Sequence, residues 1–432
     1  MLSKAERQQI IALIQREVVP AIGCTEPMAV SLCVARATEL LGQRPEHIEA
    51  LLSANILKNA MGVGIPGTGM VGLPIAIALG ALVGRSEYGL EVLHDVTPDA
   101  VETGRQYMAA DRITIGLKPG CPDKLYIEVN VTSADGHSAT AVIAHDHTNF
   151  VSLVHDGEVL LDNLGQLVAD EETGEQELCL RTVYDFATTS PLEELQFINE
   201  ARRLNENASR ESLKGNYGHS LGKTLSRPLG IGIMGNTIFS HILSATSSAC
   251  DARMAGAMIP VMSNSGSGNQ GIAATMPVVV FAEENHNTEE ELTRALILSH
   301  LTAIYIKQSL GKLSALCGCV VASTGSSCGI TYLMGGNYDQ VAYSVKNMIA
   351  NLAGMVCDGA KPSCALKVSS GVSTAVLSAM LAIQNRYVTN VEGLIEDDVD
   401  RCIHNLTRIG ADGMNETDRM VLDIMTHKQS NS

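Results

Sequence analysis

Apolar residues recur at helical spacing in AERQQIIALIQREVV, and again in EPMAVSLCVARATELLG, where Gly42 marks a stop. Between about residue 86 and residue 190 the pattern changes. The run KLYIEVNVTSADGHSATAVIAHDHTNFVSLVHDGEVLL alternates apolar and polar positions and is broken by ADG and HDG, both hairpin-like turns. It predicts antiparallel strands, with a helix around PDAVETGRQYMAA. From about residue 191 the helical period returns in PLEELQFINEARRLNENASRESL, EEELTRALILSHLTAIYIKQSL and YDQVAYSVKNMIANLAGMV. The fold class expected is mainly α with an α+β part. Residues 1–85 and 191–432 would form one helical domain from both ends of the chain, and 86–190 an inserted α+β domain with an antiparallel sheet.

Composition sharpens this picture. At 432 residues the chain is too long for one ordinary core. Runs such as IALGALVG and SATSSACDARMAGAM pair helical pattern with short side chains, which predicts closely packed helices. The net charge of −17 argues against a nucleic-acid partner, which needs a basic surface. The stretch MGVGIPGTGMVGLPIAIALGALVG (61–84) is long and uncharged, so a membrane span comes into view. Its glycines, its two prolines and the polar Asn55, Lys58 and Asn59 before it favour a buried loop followed by a core helix, and no membrane partner. The charged amphipathic start reads as a helix rather than an export signal. With eleven cysteines, this implies a reducing, cytoplasmic setting with free thiols or metal ligands instead of disulfides.

Four small, glycine-broken segments carry candidate chemistry. In AIGCTEP (21–27), Thr25 is a candidate N-cap, and Cys24 would sit at the positive end of a helix, which favours thiolate. The bland alternative is a small buried residue at a turn. In SNSGSGNQGI (263–272), Ser263, Asn264, Ser265, Ser267 and Asn269 offer polar groups in a glycine-rich loop suited to an anion such as a carboxylate. A surface turn is the competing reading. ALCGCVVASTGSSCG (315–329) and GMVCDGAKPSC (354–364) hold Cys317, Cys319, Cys328, Cys357 and Cys364. Thiolates converging on a soft metal or an iron–sulfur cluster compete evenly with buried free thiols, since neither paired CxxC knuckles nor a ferredoxin spacing is present. His219, in the polar loop NYGHSLGK, is a candidate substrate contact, with a structural histidine nearly as plausible. GVGIPGTGMVG lacks the strand and acidic partner of a dinucleotide loop.

Taken together and in this order, AIGCTEP, SNSGSGNQGI and the pair CGCVVAS and MVCDGAKPSCALK resemble the L-cysteine desulfidase family, related to the iron–sulfur-dependent L-serine dehydratases. The resemblance runs over nearly the whole chain. It implies a [4Fe–4S] cluster held by three cysteines with one open iron. Cys357 and Cys364 match the later ligands, and Cys319 or Cys317 the first, with Cys319 preferred on the Gly-Cys pair. It implies Cys24 as the base, with Thr25, Asn59, His219 and the serine/asparagine loop around the substrate. That substrate is a small amino acid, most simply L-cysteine, cleaved to pyruvate, ammonia and sulfide; L-serine dehydration and a non-enzymatic iron–sulfur sensor are the alternatives. Lys58, Lys361 and Lys367 are weaker candidates. The last ligand pair is closer than in the dehydratases, and Cys402 is the last cysteine, features that lean towards the desulfidase branch. A homodimer is compatible with the small-residue helices.

Overall fold

The computed structural model describes residues 2–121, 123–164, 178–311 and 314–428. As the pattern predicts, the chain is mainly helical with an α+β part. Six strands form one sheet: β1 (His47–Leu52), β2 (Ile113–Leu117), β3 (Tyr126–Thr132), β4 (Ser138–Ala144), β5 (Phe150–His155) and β6 (Glu158–Asp162). Their order is β2-β1-β3-β4-β5-β6. Every neighbouring pair is antiparallel except β1 and β2, which run parallel, with Ile48 opposite Ile113. The parallel pair follows from the crossover between them, which contains the helices Ala54–Ala60, Leu73–Leu82 and Pro98–Ala109.

The packing divides the chain elsewhere than at residues 85 and 190. Strand β1 lies inside the sheet, and the helix Thr25–Leu41 packs on it, sharing a core with Leu73–Leu82 and the inward side chains of β1, β3 and β4. Residues from Met28 to Leu153, joined by Leu422, make that core. Ile10, Ile11, Leu13, Ile14, Cys24 and Val63 instead join the helical core formed with residues 178–414. Period alone identifies a helix but not the neighbour it packs against, so the earlier boundary fell at the change of texture.

The 61–84 stretch is a glycine-rich loop leading into Leu73–Leu82, whose Leu73, Ile75, Ile77 and Leu79 are buried. Each such side chain contributes roughly 1.5–3 kcal/mol on leaving water, enough to keep this run inside the protein. Among the described residues one helix, Cys364–Ile383, is long and apolar enough to cross a membrane, and half of it is buried against its neighbours. In the helical core, Gly318–Leu333 is central. It contacts Glu289–Leu310, Gly268–Glu284, Cys364–Ile383 and Tyr338–Leu352. Its small residues permit close approach: a Cβ at Gly325 would lie 2.2 Å from the Ser299 carbonyl oxygen.

Two further links tie distant parts of the chain. Pro20–Ala21 pairs with Val261–Met262. The ammonium of Lys58, 1% exposed, is ion-paired with Asp418 from the helix Asn415–Thr426.

Candidate active site

Cys24 is the N-cap of the helix Thr25–Leu41, one residue earlier than Thr25 was expected to be, and its side chain makes no capping bond. Gly23 turns the chain into this position at φ +72°, and a Cβ there would collide with Pro66 at 2.4 Å. The glycine-rich loop therefore serves as a wall behind the Cys24 turn. The Cys24 thiol is buried and donates to Glu26 Oε2 at 3.0 Å, while Asn59 Nδ2 donates to Glu26 Oε1 at 3.0 Å. Burial, followed by the Glu26 carboxylate, pushes this thiol well above its ordinary range; Arg253 opposes them. The helix terminus thus does not by itself make Cys24 a thiolate. Thr25 Oγ1 donates to the Gly266 carbonyl at 3.2 Å, tying this turn to the serine/asparagine loop.

Most of that loop is occupied internally. Ser263 Oγ donates to the Val19 carbonyl at 2.6 Å, and Asn264 Nδ2 donates to the His300 carbonyl and Nδ1, both at 3.1 Å. Ser265 Oγ donates to Asn264 Oδ1 at 2.9 Å, and Ser267 caps Gly268–Glu284 by accepting from the Gln270 N–H. These four side chains build the turn instead of projecting into a cavity. Asn269 differs, because its partners are sulfur: Cys250 Sγ donates to its Oδ1 at 3.4 Å, and its Nδ2 meets Met254 Sδ at 3.3 Å.

The cysteine segments meet through an isolated antiparallel bridge between Leu316 and Val356. Cys317 N–H donates to the Met355 carbonyl at 2.9 Å, and Cys357 N–H to the Ala315 carbonyl at 2.7 Å. This pairing brings the thiols of Cys317 and Cys357 into hydrogen-bonding contact. The preferred Cys319 also bonds to Cys317, but its sulfur faces Met355 Sδ at 3.2 Å and the Lys367 carbonyl at 3.3 Å from the second position of the helix. Cys364 opens the helix Cys364–Ile383, and its Sγ approaches the Gly359 carbonyl at 3.6 Å. Cys328 lies fully buried in mid-helix, with Ser344 as a weak partner at 3.9 Å. The bond with Cys317, then burial, holds the Cys357 thiol well above its usual range, and burial raises Cys364.

Lys361 and Lys367 staple the cysteine loop. Lys361 Nζ donates to the Asp358 and Gly359 carbonyls, and Lys367 Nζ to the Val356 carbonyl at 2.7 Å; both pair with the Asp358 carboxylate. His219 is exposed, in a loop laid over the site: the neighbouring Gly218 sits against Asp251 and Pro362.

Four groups went unassigned in the sequence. Cys250 is fully buried and within electrostatic reach of Cys364, Cys317, Arg253 and Asp251. Asp251 is buried, accepts the Gly222 N–H at 3.1 Å, and has its carboxyl pushed up to about 6 by burial. Arg253 is buried beside Gly268. Lys307 is lowered to about 8 by burial, with Cys357, Glu26 and Cys317 as its charged neighbours. A signal existed for three of them: Cys, Asp and Arg cluster in CDAR, at the end of an otherwise uncharged helical run.

Cys24, Cys317 and Cys364 all stand at N-termini of long helices, and the Gly268–Glu284 helix starts beside them. Helix N-termini favour anions. Among the described residues no three His, Cys, Asp or Glu side chains form a ready single-ion site. A four-iron cluster asks for something else, one cysteine per iron. Cys317, which is buried, and the half-buried Cys357 and Cys364, with Lys58 and Lys367 among their charged neighbours, fit an anionic thiolate-bound group.

Comparison with known proteins shows the family. The chain is 69% identical over 430 residues to a UPF0597 protein of Phocaeicola vulgatus, covering 99% of this chain and 100% of the relative. It is 69% identical over 425 residues to one of Bacteroides thetaiotaomicron, covering 98% and 99%. A UPF0597 protein of Aeromonas hydrophila is 44% identical over 429 residues, covering 99% and 98%. The family model described as Serine dehydratase alpha chain matches residues 87–423, which contain Arg253, the serine/asparagine loop and all the candidate cluster ligands but not Cys24. By that match, over most of its length, the chain belongs to the serine dehydratase alpha chain family.

Proposed function

We propose that this protein is a lyase that eliminates the α-proton and β-substituent of a small amino acid, most simply converting L-cysteine to pyruvate, ammonia and sulfide. The observation that carries this reading is the contact of Cys317 with Cys357, with Cys364 in electrostatic reach of Cys357 and Lys307 in reach of both Glu26 and the first two thiols. Family membership supports elimination chemistry of the serine dehydratase type, and makes L-serine the second substrate reading.

Cys317, Cys357 and Cys364 would hold a [4Fe–4S] cluster, with Cys319 as neighbour. When bound, such a cluster with one open iron supplies Lewis acidity towards a sulfur or oxygen leaving group. The remaining work falls to side chains. Cys24 passes its proton along the 3.0 Å hydrogen bond to Glu26, whose other oxygen Asn59 steadies, and the thiolate takes the α-proton. The Cα–H electron pair forms the Cα–Cβ double bond, and the Cβ–S or Cβ–O pair leaves with the β-substituent. The resulting aminoacrylate tautomerises to an imine, which water converts to pyruvate and ammonium. Lys307 offsets negative charge between Glu26 and the thiolates.

The test is product analysis on anaerobically reconstituted protein: sulfide and pyruvate from L-cysteine against pyruvate from L-serine. Iron-replete protein that yields pyruvate from neither removes the proposal. Cys24→Ser is expected to keep the cluster absorbance and lose about 100-fold or more in kcat. Undiminished turnover would remove the base assignment.

A further inference from the structure

Arg253 ends the helix Ile238–Met254 and is 3% exposed. Its Nε has no hydrogen-bond partner, and its guanidinium forms no ion pair among the described residues. It lies within electrostatic reach of Cys24 on one side and Cys250 on the other. Gly268 makes room for it: a Cβ there would fall 2.2 Å from Nε and 2.9 Å from Cζ. Gly268 is also the first residue of a 17-residue helix, so the guanidinium stands beside its positive end. An isolated buried cation is costly unless an anion completes it. A second unpaired group lies in the same turn. Gln270 is 4% exposed, its Oε1 has no donor, and its side chain packs on Gly318 between Cys317 and Cys319.

We propose that Arg253 is the anchor for the α-carboxylate of the amino-acid substrate, held there in a planar two-pronged contact, with Gln270 Oε1 accepting from the substrate ammonium. This rests on the elimination reading for the identity of the substrate, but not for the existence of the site. Two unpaired groups of opposite hydrogen-bonding sense, on either side of one helix start, match the two ends of an α-amino acid. The site places the carboxylate beside Cys24, where the α-carbon must lie for proton removal. It selects for α-amino acids over simple amines and esters.

The binding arm uses cluster-free protein. Isothermal titration with L-cysteine and L-serine, against cysteamine and the amino-acid amides, is expected to give heat only with the carboxylates. Arg253→Met is expected to weaken that binding about 100-fold. The turnover arm uses reconstituted protein with unchanged iron and sulfide content. There Arg253→Met is expected to raise KM more than it lowers kcat, and to erase discrimination between L-cysteine and its amide. Should Arg253→Met lose its folded circular dichroism, Arg253→Lys keeps the charge but not the fork, and is expected to bind about tenfold more weakly than the parent. Carboxylate binding unchanged in Arg253→Met, or equal to the parent in Arg253→Lys, overturns the assignment. Carboxylate binding that depends on Arg253 in a protein forming no pyruvate would sustain the anchor and defeat the elimination reading.

Discussion

Cys317 and Cys319 are two residues apart and their thiols touch, but Cys317 also meets the Cys357 thiol, whereas Cys319 faces Met355 Sδ and the Lys367 carbonyl. After anaerobic reconstitution, Cys317→Ala is therefore expected to lose most iron and Cys319→Ala to keep most of it, read by iron and sulfide per chain. The reverse pattern restores the Gly-Cys alignment. His300 gives a pH prediction. It is fully buried, accepts from Asn264 at Nδ1, faces Thr275 Oγ1 from Nε2 at 2.9 Å, and burial lowers it to about 3 from an ordinary 6.5. Between these values the unfolded chain binds the extra proton, so its stabilising contribution is complete above about 6.5 and lost as pH falls. The slope is up to about 1.4 kcal/mol per pH unit. Urea titrations of the parent and His300→Gln at pH 7.5 and pH 5 should show a smaller loss on acidification in the variant.

At the level of elements, the strands of the ADG and HDG hairpins, the Pro98–Ala109 helix and the Gly42 stop were all legible, because local period and turn chemistry decide them. The place of Thr25–Leu41 was not, because its burial depends on a sheet formed by residues far along the chain. The same limit applies to the loop at 263–269. Its composition announces hydrogen bonding, but only the fold reveals that Ser263 and Asn264 bond inward to Val19 and His300. Thiols were nameable from motifs, whereas Lys307 acquires meaning only from what surrounds it. The start of Gly268–Glu284 is the element most sensitive to a single methyl. Gly268→Ala is expected to displace Arg253 and lower Tm by several degrees, equivalent to about 1–3 kcal/mol of overpacking. An unchanged Tm would mean that the guanidinium moves aside freely.

Across the whole molecule, Lys58 and Asp418 tie the C-terminal helix Asn415–Thr426 to the sheet core that Leu422 also joins. Asp418→Ala leaves a fully buried ammonium without its partner, at a cost of about 3–5 kcal/mol. A urea titration should register that loss, and Lys58→Met with Asp418→Ala should recover much of it. A double variant no more stable than the single one would show that the pair matters for more than charge.

The bridge between Leu316 and Val356 joins segments that leave the ribosome long after Cys24. The sheet core can condense early in synthesis, apart from Leu422, whereas the pocket waits for nearly 340 more residues beyond Cys24. Until Cys364 is made, the early thiol lacks the surroundings that shelter it in the finished protein. Cluster assembly, on the proposal above, would be deferred until the second cysteine segment is made, because nascent fragments ending before it hold thiols without their later partners.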